Sequence, residues 1–501
     1  MTSEATAAPE PLVNKGFPAG NARPYWVLAA VVTVLAVAFA VRLRWSPDFG
    51  VHAATVERLR ESLTHPGNPL VDEDGPSPYY SPYPLLLAVI ARVTGLSAVT
   101  VLAMAGPVVI VVLLWGLRAF VRTLTDRPRA PVLALVFVLV LWGVQPRVWS
   151  GFFSLWALPF VTAFPSTLAL ALTLLLWAGL SRTLDAPARW PRYLGLGLLG
   201  ALVALVHPVT TAMAGLGALA LVAVRARHLP RTAWLGLAGA AGLAVAAITA
   251  WPYYSFTGLL SASHELDTIH RPLYDRPWLY FGLLPITLPA LWWRWRRQPL
   301  DPLVLLFAGA AVLVAVGWLT GRYALGRAWP AVALAGQLAL AVELSGTVAR
   351  RYVPVTALAC LAGLVVQSSN LLYLAPAPLV PPRVHRLTHM FVDWPDYAWI
   401  APHTHPGDVL LTNDFYAVRT VGAYGLYTVA PAWPDPLLPD EAQRRRDLLT
   451  MLRGTTDPAT RAALFARYHV RWILAMPGRW TPVEGRPLVA TGPGGERLYG
   501  V

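Results

Sequence analysis

Apolar runs of membrane-spanning or near-spanning length succeed one another through the first 375 residues of this chain, at about 25–42, 97–117, 131–145, 164–180, 193–206, 209–224, 232–252, 278–293, 302–319, 328–346 and 353–374. A water-soluble fold cannot bury that many such runs, because a bilayer core of ~30 Å asks for ~20 apolar residues per helix and a soluble core does not. Composition agrees: 56% of the 501 residues are hydrophobic and 13% charged, against roughly a quarter charged in soluble domains. The pattern predicts an all-α polytopic membrane domain of about eleven transmembrane helices. The polar, Pro/Ala-rich residues 1–24 read as a cytoplasmic tail rather than a cleavable leader, since the apolar run after them is long enough to span. The single cysteine, Cys360, lies inside an apolar run and leaves no intrachain disulfide or CxxC metal site.

Arginine clusters punctuate the runs and set the expected topology. Arg118, Arg122, Arg127 and Arg129 form one; the others lie at 182–192, 225–231, 294–297 and 350–351. Arginine resists translocation, so these loops are predicted to stay cytoplasmic. All fall on one side if the N-terminus is inside and the run 83–96, entered through the Pro/Tyr-rich stretch Pro76–Pro84, is re-entrant or interfacial. With Lys15 and Arg23 those segments hold 17 basic and 5 acidic residues, whereas loops 43–80 and 253–277 hold 5 basic and 9 acidic. The formal charge of +14 is therefore a topology signal, and nucleic acid is excluded as a partner. The same parity makes His207-Pro208 the tip of a short external hairpin.

Beyond a stiff linker containing Pro376, Pro378, Pro381 and Pro382 the character changes. The reading is a membrane domain over 25–375 with external loops 43–82 and 253–277, then an extracytoplasmic α/β domain over 376–501. Strands are expected at Val409–Thr412 and Val470–Ala475 and a hairpin near 487–499. Helices are expected at Asp414–Tyr424, Pro439–Arg453 and Asp457–Tyr468.

Candidate chemistry collects on the external side. Asp48 follows the first span directly, where partial desolvation raises a carboxyl pKa and suits a general base; a solvated loop carboxylate is the plainer reading. His52 is four residues on and shares its face if 49–63 is helical. The run Asp72-Glu73-Asp74 is either an acidic turn or, through Asp72 and Asp74, oxygen ligands for a divalent cation. In the second loop His264, Glu265, Asp267 and His270 are further acids, bases or ligands, although their spacing matches no zinc signature. Three external arginines break the positive-inside trend: Arg147, Arg322 and Arg327. Each suits bidentate phosphate binding, or snorkelling to headgroups. His207 is either a helix-capping histidine or a neighbour of the same cavity. The 21 tryptophans gather at span ends as interfacial belts do, with Trp45 and Trp149 also placed to stack on sugar.

Together these features resemble the GT-C superfamily of membrane glycosyltransferases, which use polyprenyl-phosphate-linked sugars. The features that carry the resemblance are a first span ending in Asp48, a long loop with juxtamembrane helices, a Pro/Tyr-rich entry to an interfacial helix, many spans and an external soluble tail. Actinobacterial arabinofuranosyl- and mannosyltransferases are the nearest in layout. The resemblance implies transfer of a sugar from a polyprenyl-phosphate donor to the hydroxyl of an extracytoplasmic glycan, lipid or glycoconjugate, within membrane lipid. By it Asp48 is the base, Arg322 or Arg327 meets the donor phosphate, and the Asp72–Asp74 run or Glu265 and Asp267 match a metal or secondary acid position; by their own placement Arg147 is a further phosphate candidate, and His52, His207 and His264 are candidates for the acceptor or a secondary acid. Some members carry an adjacent acidic pair after the first span, but Phe49 follows Asp48 here, which leaves a magnesium or manganese ion at Asp72 and Asp74 an open element. The competing classes are a transporter or lipid flippase, which calls for ionisable groups at mid-span depth and inverted repeats, and a non-catalytic envelope scaffold. Gln337 is the mid-span polar candidate.

Overall fold

The computed structural model describes residues 22–186, 189–262, 267–346, 350–376, 379 and 392–501. His264 and Glu265 lie outside them. Among the described residues eight helices are long and apolar enough to cross a membrane, and three shorter apolar helices accompany them. The fold is a helical bundle with a small C-terminal sheet.

The chain begins with α1 (Arg23–Arg42), α2 (Phe49–Glu61), α3 (Pro82–Thr94), α4 (Ala98–Leu124) and α5 (Ala130–Val140). Proline at the first or second position starts α1, α3 and α5, where its fixed φ and missing N–H cost nothing. α3 has 13 residues, about 20 Å at the α-helical rise and too short for a ~30 Å core. It buries Tyr83, Leu87, Ala88 and Ala91 and exposes Leu86, Val89, Ile90 and Val93. That apolar outer face fits lipid better than water, as the interfacial reading of 83–96 requires.

Close packing of small residues holds the bundle. Gly197, in helix Trp190–Val206, lies so near helix Arg231–Thr249 that a Cβ there would sit 2.5 Å from the Ala240 carbonyl oxygen; only glycine admits that approach. Helix Trp329–Leu344 is buried on every side from Pro330 to Glu343. Its Gln337 donates through Nε2 to the Leu141 carbonyl (2.8 Å), a group left without an intrahelical partner where α5 ends. Glu343, near the other end of that helix, meets Arg294 (3.2 Å) and Arg297, and Arg294 also reaches Asp301 (2.5 Å).

The run 278–293 corrects the expectation of a continuous span. It divides into Pro277–Tyr280, the 3-10 turn Leu284–Thr287 and Leu288–Arg297. Pro285 and Pro289 remove two backbone donors and clash with preceding carbonyls. The freed groups pair with the irregular chain after α5: Leu283 N–H donates to Trp142 O, and Val144 and Gln145 N–H donate to Leu279 O. Two interrupted segments thus satisfy one another, as backbone away from water must.

The C-terminal sheet contains β1 (Val409–Leu411), β2 (Tyr427–Thr428), β3 (Val470–Ala475), β4 (Leu488–Thr491) and β5 (Arg497–Gly500), in the order β2-β1-β3-β5-β4. The first three strands are parallel and the last two antiparallel. Helices Glu441–Met451 and Pro458–Arg467 cross between β2 and β3. The segment 414–424 is less regular than expected, a four-residue helix followed by a 3-10 turn, and β2 was not foreseen because two residues carry no alternation.

This sheet domain is fastened to the loop between α1 and α3. Buried Arg58 on α2 stacks on the Tyr427 ring (3.7 Å) and donates to Gly425 O (2.7 Å). Thr428 N–H donates to Leu70 O (3.0 Å). Asp435 accepts from Asn68 (2.9 Å) and Ser77 (3.0 Å). Gly50 is pressed against the Arg419 carbonyl, where an added Cβ would lie 1.7 Å from the oxygen.

Candidate active site

Asp48 stands at the joint between α1 and α2, and three consecutive contacts immobilise the chain leading to it. Arg44 bridges to Asp393, the Tyr373 hydroxyl donates to Trp45 O (3.0 Å), and the Ser46 hydroxyl donates to Phe160 O (2.9 Å). Asp48 itself is half-buried. Trp433 Nε1–H donates to its Oδ1 at 3.0 Å. Burial pushes the Asp48 carboxyl above its ordinary pKa, and the Trp433 hydrogen bond and the charges of Arg327 and Arg419 pull part of the way back. A carboxylate raised in this way is a better proton acceptor than a solvated one.

One turn along α2, His52 packs edge-on against Phe164 (5.0 Å) and Tyr79 (6.4 Å). Burial lowers its pKa to about 3, so it is neutral. His207 interrupts two helices with an extended backbone (φ −154°, ψ 93°), which is the break foreseen at His207-Pro208. Its Nε2 lies 3.3 Å from Arg327 Nη2 and its Nδ1 2.7 Å from Thr210 Oγ1. A guanidinium only donates, so Nε2 is the acceptor and the proton sits on Nδ1, donating to Thr210. Burial, then the Arg327 charge, hold His207 well below its usual range. Ser150 Oγ is 3.4 Å from the same Nε2. Ser150, Gly151, His207, Thr210 and Arg327 line a small cavity that opens here.

The structure thus brings Asp48, His52, His207 and Arg327 into one neighbourhood from three separate stretches of sequence. The remaining candidates have other partners. Arg322 Nε pairs with Asp267 Oδ2 (3.1 Å), and Asp267 Oδ1 accepts from Ala324 N–H (2.9 Å). Arg147 lies over the Tyr280 ring (4.4 Å) and donates to Pro272 O. Asp72 meets His469 (2.9 Å) and Glu73 meets Arg444 (2.8 Å), so this acidic run docks the sheet domain; Asp74 lies beside the turn at Gly67. Among the described residues no three His, Cys, Asp or Glu side chains converge as a metal-binding group. Asp72 and Asp74 therefore do not by themselves supply a donor set for magnesium or manganese.

Sequence reasoning missed Trp433, which donates to Asp48 across 385 residues of chain, and Arg419, whose charge acts on the same carboxylate. A signal for Trp433 existed: it is a tryptophan in a Pro-rich stretch of the soluble module, remote from any span end. Arg419 carried none.

No protein-family profile and no curated protein sequence matches the chain. Solved structures do. ArnT from Cupriavidus metallidurans, bound to undecaprenyl phosphate, is similar with a TM-score of 0.53 at 16% identity, over 95% of this chain and 97% of its own. The mycobacterial arabinofuranosyltransferase AftD is similar with a TM-score of 0.55 at 16% identity, over 95% of this chain, which spans 40% of AftD. The archaeal oligosaccharyltransferase AglB from Archaeoglobus fulgidus, in complex with an inhibitory peptide and a dolichol-phosphate, gives 0.51 at 12% identity, over 91% of this chain and 70% of AglB. At these identities the likeness establishes the fold alone, a GT-C-like helical bundle with a C-terminal sheet domain.

Proposed function

We propose that this multi-pass membrane protein is a glycosyltransferase that moves a sugar from a polyprenyl-phosphate donor to a hydroxyl on the extracytoplasmic face, with Asp48 as general base. The observation that supports the reading is a deeply set Asp48 within electrostatic reach of Arg327, which lines a small cavity, in a fold shared with ArnT, AftD and AglB. By this reading the acceptor O–H donates to Asp48, and Asp48 takes the proton as the hydroxyl oxygen bonds to the anomeric carbon. The bond from that carbon to the phosphate oxygen breaks, and the phosphate leaves carrying the electron pair. Arg327, whose guanidinium already lies against a neutral imidazole, is placed to bind that phosphate through charge-assisted hydrogen bonds. Neutral His207 lines the cavity without repelling a cationic guanidinium. The arginine clusters support a cytoplasmic N-terminus and an extracytoplasmic sheet domain.

A transporter needs ionisable groups at mid-span depth. Gln337, the polar residue there that pointed toward one, is spent on a backbone carbonyl.

The test is turnover of radiolabelled polyprenyl-phosphate sugars by the purified chain. Asp48→Asn keeps the acceptor for Trp433 and removes the base, so turnover should fall by roughly 10²–10⁴-fold with donor binding preserved. In the unmodified protein kcat/KM should rise with pH through an acid limb above the ordinary carboxylate value of ~4. Exposed Asp126→Asn is the control. Equal turnover in the two variants removes the assignment.

A further inference from the structure

The first loop and the sheet domain meet at Asp48, where one sheet-domain side chain, Trp433, bonds the carboxylate and the charge of another, Arg419, acts on it. Trp433 donates to Oδ1 at 3.0 Å, which leaves Oδ2 as the oxygen free to turn toward a substrate. The tryptophan is not free to drift. Two residues on, buried Asp435 accepts from Asn68 Nδ2 (2.9 Å), Ser77 Oγ (3.0 Å) and Leu437 N–H (3.1 Å), and its own N–H donates to Glu441 (2.8 Å). Arg419 is equally constrained. Its guanidinium lies over the Phe415 ring (4.0 Å) and near that of Trp433 (5.8 Å), and it donates to Phe415 O (3.0 Å). Both residues are held against α2 by the contact at Gly50, whose missing Cβ would meet the Arg419 carbonyl and, at 3.3 Å, the Trp433 ring.

We propose that the C-terminal domain completes the Asp48 site, with Trp433 fixing which carboxylate oxygen faces the acceptor and Arg419 supplying its lasting counter-charge. The inference rests on Asp48 being the base. It follows from how charge must redistribute when a donor enters. Arg327 and Arg419 both act on Asp48 in the free protein. A donor phosphate draws Arg327 to itself and adds a negative charge near the carboxylate, which opposes ionisation of Asp48. Arg419, anchored in the other domain, stays. The other titratable groups facing this point are Tyr79, whose hydroxyl is held well above its usual range, and His52 and His207, both neutral. None of the three can replace that positive charge. Trp433 and Arg419 are positioning residues in this scheme, since neither touches the reacting atoms.

The test reads Asp48 directly, without needing the sugar. Dicyclohexylcarbodiimide modifies protonated carboxyls, so mass spectrometry of the Asp48 peptide from the full chain, labelled across a pH series, gives the midpoint of its ionisation. Trp433→Phe keeps the ring and removes the donor; Arg419→Gln removes the charge. Losing a hydrogen bond or charge that favours the carboxylate raises its pKa, so each variant should move the midpoint up by about one pH unit. The acid limb of kcat/KM should move with it, with kcat falling more than KM changes. Trp480→Phe, remote from Asp48 in the same domain, should move neither. Should Trp433→Phe not fold, Arg419→Gln carries the test alone. Midpoints unchanged from the unmodified protein overturn the inference and leave the base assignment standing. A shifted midpoint together with unimpaired Asp48→Asn turnover removes the base assignment instead.

Discussion

Gly50→Ala is the smallest change that separates the two domains at the site. The new methyl carbon would lie 1.7 Å from the Arg419 carbonyl oxygen and 2.9 Å from its carbon. Both are backbone atoms, so no side-chain rotation relieves the clash. Restoring ordinary contact needs about 1.5–2 Å of separation between α2 and the segment carrying Arg419 and Trp433, at an overpacking cost of ~1–3 kcal/mol. Alanine returns only ~0.5–1 kcal/mol as the better helix former, so the change is destabilising on balance. The cheapest relief tilts the sheet domain away, and a parting of that size takes the Trp433–Asp48 hydrogen bond from 3.0 Å out of bonding range. A hydrogen bond to a charged group contributes ~1.5–3 kcal/mol, so turnover of the radiolabelled donor should fall by roughly 10- to 150-fold, with a lowered melting temperature. Gly75→Ala, where a Cβ meets nothing within 4 Å, is the matched control in the same loop. Full turnover and an unaltered melting temperature for Gly50→Ala would refute the argument that this contact holds the site together.

Two further outcomes are expected. Arg327→Gln should weaken binding of a polyprenyl-phosphate sugar by roughly 10- to 150-fold, whereas Arg322→Gln, whose charge is already paired with Asp267, should change it little; equal losses would return Arg322 to the phosphate site. In a Cys360→Ala background, a cysteine at exposed Glu484 should react with a membrane-impermeant maleimide in intact cells and one at exposed Asp126 should not; the reverse pattern inverts the topology.

Some of this was legible in the chain because it rests on local, repeated physics. A long apolar run must be a helix wherever water is absent, and arginine spacing is a one-dimensional record, so the bundle, the break at His207 and the short α3 could be read directly. The β3 strand and the two amphipathic helices of the sheet domain followed from periodicity alone. Asp48 was singled out by its distance from a span end, which is also a one-dimensional quantity. Tertiary structure decided what no spacing encodes. It set Arg327 at the wall of a small cavity and paired Arg322 with Asp267. It turned Asp72 and Glu73 into docking contacts for His469 and Arg444. Run 278–293 looked like a span by composition, yet its prolines free backbone groups that only a second broken segment, 141–145, could satisfy. Trp433 and Arg419 could not be placed from sequence because their relation to Asp48 passes through a domain interface set by Gly50, Arg58 and Asp435. Hydropathy fixes which residues leave water, while the partners of the few polar groups that leave with them depend on where the folded chain returns.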